Sequence, residues 1–102
     1  MAAGGLLGLL GAAAAYGDTT ATVHIDNFTF GPGELRIKAG TSVTWTNRDD
    51  IPHTVADATD PKQTHSPPLD TGDSYTRRFD KPGAYRYFCT LHPTMQGVVI
   101  VK

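Results

Sequence analysis

Tyr87-Phe88-Cys89-Thr90-Leu91-His92-Pro93-Thr94-Met95-Gln96-Gly97 holds the chain's one cysteine, one of its four histidines and one of its two methionines. The spacing is Cys-x2-His-x2-Met. A thiolate, an imidazole and a thioether this close together suit copper, which alternates between a softer Cu(I) and a harder Cu(II). Three side chains can converge on one point only from a tight loop. Pro93 and Gly97 fit such a loop, because proline fixes one backbone angle and glycine relaxes another.

Working outward, the fourth ligand is expected from another part of the chain. The best candidate is His53, within Arg48-Asp49-Asp50-Ile51-Pro52-His53-Thr54-Val55. The expected metal set is therefore His53, Cys89, His92 and Met95. Two imidazoles, one thiolate and a weak axial thioether make a trigonal site of the blue-copper, electron-transfer kind. Taken singly, each residue has a plainer reading. A lone cysteine is commonly a small buried hydrophobe, Met95 could be core filler, and a histidine beside a proline is commonly a loop or capping residue. It is the shared spacing that favours ligation.

At these residues the chain resembles the cupredoxins, most closely the amicyanin type with its short ligand loop. The likeness rests on Ser42-Val43-Thr44-Trp45-Thr46-Asn47-Arg48, on Ile51-Pro52-His53 and on Cys89-Thr90-Leu91-His92-Pro93-Thr94-Met95, and it covers roughly residues 20 to 102. Many members of that family place Asn after the first ligand histidine, where its side chain ties two ligand loops together. Here the residue is Thr54. Its backbone N–H can still donate to the Cys89 sulfur, but the side-chain tie is a departure from the pattern.

The rest of the chain reads as short strands and turns. Ala21 to Phe30 is β-rich, with Val23 and Ile25 on one side. Glu34 to Lys38 and Ser42 to Asn47 follow, the latter presenting Val43 and Trp45 on one face. Asp57 to Asp73 carries Pro61, Pro67 and Pro68 and is expected to be a long surface connection with at most one edge strand. Ser74 to Phe79, Ala84 to Cys89 and Gln96 to Lys102 complete the set. Turns are marked by Gly31-Pro32-Gly33, Lys38-Ala39-Gly40-Thr41, Thr71-Gly72-Asp73 and Lys81-Pro82-Gly83. Seven to eight strands without a helical stretch predict an all-β, Greek-key β-sandwich. Trp45, Phe28, Phe30, Tyr85 and Tyr87 are expected in its core. His53 should sit where a strand begins, and the Cys89–Met95 loop should join the last two strands.

At 102 residues this is one domain at most. Residues 2–15 are only Ala, Gly and Leu, which is short for a membrane span. With Ala13-Ala14-Ala15 they read as a secretory leader, although the basic n-region is missing. The expected division is residues 1–17 as a leader or its remnant and 18–102 as a single cupredoxin-like copper-binding domain. A retained membrane anchor is the alternative. One cysteine allows no internal disulfide. The net charge of −1 argues against nucleic acid or an anionic membrane as main partner. Charge is uneven, however. Asp49 to Asp73 has six Asp and one Lys, whereas Ser74 to Lys102 has five basic residues and one Asp. Solvated loops explain this, and so does a face that orients a partner.

These features predict a periplasmic or extracytoplasmic electron carrier that is monomeric and not an enzyme. Pro52, Leu91, Pro93 and Met95 are expected to surround His92 with an apolar patch for brief docking of redox proteins. By analogy with amicyanin, the donor would be a dehydrogenase and the acceptor a c-type cytochrome. The alternative function is copper storage or delivery, which favours an open, exchangeable site rich in Met or His. A Cys89–His92 hydrolase lacks an orienting Asn or Asp. A multicopper oxidase needs more histidines than four. His24, in a strand, and His65, in a polar loop, are expected to face solvent.

Overall fold

The computed structural model describes residues 19–102, so the expected leader lies outside the described residues. Eight strands form: β1 Thr20–Asp26, β2 Thr29–Gly31, β3 Glu34–Ile37, β4 Thr41–Asn47, β5 Ala56–Asp57, β6 Ser74–Phe79, β7 Gly83–Phe88 and β8 Gln96–Val101. They make two four-stranded mixed sheets, ordered β2-β1-β4-β6 and β3-β8-β7-β5. β1 runs parallel to β4 and β3 runs parallel to β8, while the other pairs are antiparallel. There is no helix among the described residues. The expected β-sandwich is the observed fold.

Alternation decides which face goes inward, because successive side chains of a strand point to opposite sides. On β4, Val43 and Trp45 are 0% and 1% exposed. Between them, Thr44 and Thr46 face outward and pair across the sheet with the Thr76 and Ser74 hydroxyls at 2.8 and 2.9 Å. Val23, Ile25, Phe30 and Phe79 join Trp45 from the first sheet, and Ile37, Tyr87, Val99 and Val101 meet them from the second. The Tyr87 ring stands edge-on to Phe30 at 4.8 Å and to Trp45 at 5.2 Å, which locks one sheet onto the other. Each such aromatic pair contributes about 0.5–1.5 kcal/mol beyond the area it buries. Cys89 and Met95 belong to this same core.

Two expectations are corrected. Phe28 is not a core residue, because the β-rich stretch Ala21 to Phe30 turns at Asn27 and Phe28, whose φ angles are +52° and +58°. Asp26 and Thr29 close this two-residue hairpin. Two positive φ values are what such a turn requires, because they match the twist of the flanking strands. Its geometry lifts Phe28 out of the core, leaving it 51% exposed. Gly97 is likewise not a loop residue. It sits in β8 opposite Tyr87, and a Cβ there would collide with the Tyr87 ring, whose Cε1 would lie 2.9 Å away. Glycine is required by the packed ring and not by a turn.

Candidate metal centre

The pole of the sandwich is assembled from three segments. The first runs from the end of β4 to His53. Asn47, wholly buried, donates through Nδ2 to the Ile51 and Leu69 carbonyls at 2.9 and 2.8 Å, and its Oδ1 accepts from the Asp49 N–H at 2.9 Å. His53 then pairs with Leu69 through both backbone groups. This side-chain clamp brings His53 inward as an isolated bridge just before β5.

The second segment is the loop between β7 and β8, as expected. Its backbone bonds join the three residues singled out by spacing. His92 N–H donates to the Cys89 carbonyl at 3.2 Å, Met95 N–H to His92 at 2.9 Å, and Cys89 N–H to the Met95 carbonyl at 3.1 Å. The loop therefore closes on itself. The third segment is the β1–β2 turn, which sets the Phe28 ring edge-on to His53 at 5.6 Å and to His92 at 5.2 Å.

Nδ1 of His53 and Nδ1 of His92 each lie 3.7 Å from the Cys89 sulfur. All three donor atoms lie within 4.8 Å of one another. A trigonal ion with nitrogens at ~2.0 Å and sulfur at ~2.3 Å separates S from N by ~3.7 Å. The residues thus fit the donor set of a trigonal copper ion. His53 and Cys89 are fully buried and Met95 is 5% exposed, while His92 is only half-buried. Met95 reaches the pole through its backbone bonds to Cys89 and His92.

Hydrogen bonds around the sulfur restore what the missing Asn would supply. The Thr54 N–H donates to Cys89 Sγ at 3.4 Å. Its hydroxyl accepts from the Thr90 N–H at 2.7 Å and pairs with the Thr90 hydroxyl at 2.7 Å. The loop-to-loop tie is present, made by two threonines. Asp49 accepts from His53 Nε2 at 2.7 Å. It also takes the N–H groups of Phe28 and Asn27, and these bonds, Phe28 first, hold its carboxyl below the ordinary carboxylate range against the opposing effect of burial.

Reasoning from the residues missed Asp49, Asn47 and Phe28. The signal for the first two was their place in the quoted stretches Ser42 to Arg48 and Arg48 to Val55. His65 is exposed, as expected, and its segment bridges to Ala56. His24 is half-buried on β1 instead of solvent-facing, with Nδ1 enclosed. Neither joins the cluster. Of the four residues expected to form the apolar patch, Pro52, Leu91 and Pro93 are exposed, Leu91 by 50%, but Met95 is buried and not part of that surface. Phe28 takes its place.

A family model described as copper binding proteins, plastocyanin/azurin family, matches residues 17–102. Amicyanin-alpha from Methylorubrum extorquens is 42% identical over 83 residues, spanning 78% of this chain and 70% of that protein. Among solved structures, a purple cupredoxin from Nitrosopumilus maritimus superposes with a TM-score of 0.73 at 36% identity, covering 80% of this chain and 99% of that one. The Cu(I) form of an amicyanin mutant gives 0.75 at 34%, covering 83% and 84%.

Proposed function

This chain belongs to the copper-binding plastocyanin/azurin family, and from that membership we propose a blue copper carrier that passes single electrons between redox proteins outside the cytoplasm. His53, Cys89, His92 and Met95 hold the ion. The observation that carries this reading is the placement of one sulfur and two imidazole nitrogens at 3.7 Å spacing inside a self-bonded frame. Bound copper supplies the one-electron couple.

The protein's own part is rigidity and enclosure. The Asn47 clamp and the closed Cys89–Met95 loop keep the donors in one arrangement, so little rearranges when charge changes. The Thr54 N–H stabilises thiolate charge on Cys89. Burial of His53, Cys89 and Met95 excludes water. His92, half-buried, with the exposed Phe28 ring edge-on to it at 5.2 Å and its chain neighbours Leu91 and Pro93 exposed, is the portal at which a partner docks. A small apolar patch suits a brief encounter. By analogy with amicyanin, a dehydrogenase donates and a c-type cytochrome accepts. The carrier acts as a monomer and is not an enzyme. Residues 18–102 form its single domain, and residues 1–17 read as an export leader or its remnant, which fits a periplasmic or equivalent compartment. No helix of the described residues is long and apolar enough to cross a membrane.

Storage or delivery is the weaker reading, because three of the four donors are enclosed and exchange needs open ligands. The test is the visible spectrum of purified apoprotein after adding Cu(II). One equivalent should give an intense blue-to-purple thiolate-to-copper band that Cys89→Ser abolishes. Stoichiometric uptake without colour would overturn the carrier reading in favour of storage.

A further inference from the structure

Asp49 is held at every polar group it has. Its N–H donates to Asn47 Oδ1, and its carbonyl accepts the Thr71 hydroxyl. Oδ1 takes the Asn27 N–H at 2.6 Å, while Oδ2 takes the Phe28 N–H at 2.9 Å and His53 Nε2 at 2.7 Å. Successive N–H groups of a turn form a concavity for an anion, and here the anion is a side chain of the protein itself. A carboxylate accepts only. His53 therefore carries a proton on Nε2, and its Nδ1 faces Cys89 and His92.

We propose that Asp49 is a positioning residue, joining the His53 ring and the Phe28 turn into one unit. One carboxylate selects the His53 tautomer, orients its ring and pins the two positive-φ residues that hold Phe28 over both imidazoles. Phe28 has a bulky side chain at a φ that such residues rarely adopt, so its turn needs an external hold. The inference rests on the reading of His53 as a copper ligand. Loss of a negative charge beside the ligand ring disfavours Cu(II) more than Cu(I).

The experiment compares wild type, Asp49→Asn and Asp49→Ala. Outer-shell partners of metal-bound histidines are worth about 10–100-fold in affinity. Asp49→Ala is expected to weaken Cu(II) at least tenfold more than Cu(I), which reads as an upward potential shift of about 59 mV per tenfold. Asp49→Asn, which keeps the size and removes the charge, should move in the same direction. An unchanged Cu(II)/Cu(I) affinity ratio in folded, coloured variants overturns the proposal.

The second arm is NMR of the wild-type apoprotein, which needs neither metal nor variant. It should show a slowly exchanging His53 Nε2–H and contacts from the Phe28 ring to both imidazoles. A His53 proton found on Nδ1, or a Phe28 ring free of both histidines, overturns the proposal even if Asp49→Ala fails to fold. A wild type that binds copper without colour refutes the carrier reading alone, and the apoprotein NMR still decides the role of Asp49.

Discussion

Replacing Thr54 by valine removes one oxygen, keeps the side-chain shape and leaves the backbone donor to Cys89 in place. The oxygen serves three contacts, accepting the Thr90 N–H and pairing with the Thr90 hydroxyl, each at 2.7 Å, and reaching Cys89 Sγ at 3.8 Å. Losing the hydroxyl pair costs about 0.5–1.5 kcal/mol, and a buried donor left unsatisfied costs about 1–3 kcal/mol. Thr90 is exposed, so water can reach its N–H and the second figure falls to its low end. The added methyl returns about 0.8 kcal/mol, since Thr54 is 5% exposed. The net is a loss of about 1.2 kcal/mol, equivalent to about 5–10 °C in Tm for a domain of this size. Calorimetry on the copper-free protein measures it without the contribution of binding. Thr54→Ser, which keeps the oxygen, should lose much less. The blue band should survive in both, because the Thr54 N–H to Sγ bond is backbone-made. A Thr54→Val Tm within about 2 °C of wild type would refute the idea that the two threonines tie the ligand loops.

Three further outcomes follow from the geometry. Met95→Leu should keep fold and colour, since the volumes are similar, and raise the reduction potential through loss of a weak donor to Cu(II); an unchanged potential in voltammetry removes Met95 from the ligand set. Gly97→Ala should destabilise by about 1–3 kcal/mol, seen in urea unfolding, because the Tyr87 ring it strikes is held between Phe30 and Trp45. Asp57→Asn should destabilise at neutral pH. Burial opposes ionisation of Asp57, yet the Thr59 and Asp60 N–H groups and Arg77 together lower its pKa from 3.8. A depressed carboxylate stabilises the fold above its ordinary pKa and loses that contribution as pH falls through the folded value. The difference between wild type and Asp57→Asn should therefore shrink below about pH 4, and a constant gap in pH-dependent denaturation contradicts the assignment.

What could be read in advance was whatever depended on neighbours in sequence. Strand β4 announced itself by alternation, and the Cys89–Met95 loop by the types and spacing of its donors. His53 was reachable only because its Pro-His context resembles a known ligand. Phe28 escaped because aromatic residues are ordinarily core residues, and nothing nearby, such as an Asn-Gly pair, marked the turn. The partners that hold that turn come from Asp49, more than twenty positions away. Gly97 was assigned to the loop for its backbone freedom, whereas its cause is a ring on the adjacent strand. Thr54 illustrates the same limit. The absent Asn was visible, but its replacement by a Thr54–Thr90 pair depends on how two loops meet.

The full burial of Cys89 bears on the chain's chemical durability before metal arrives. Thiols are oxidised or cross-linked when an oxidant or a second thiol can reach the sulfur. At 0% exposure, beneath the Thr54 amide and between two imidazole rings, this sulfur is out of reach of a second chain. Disulfide-linked dimers would require the ligand loop to open first. In an oxidising compartment the newly folded chain can thus wait for its ion with its only thiol intact.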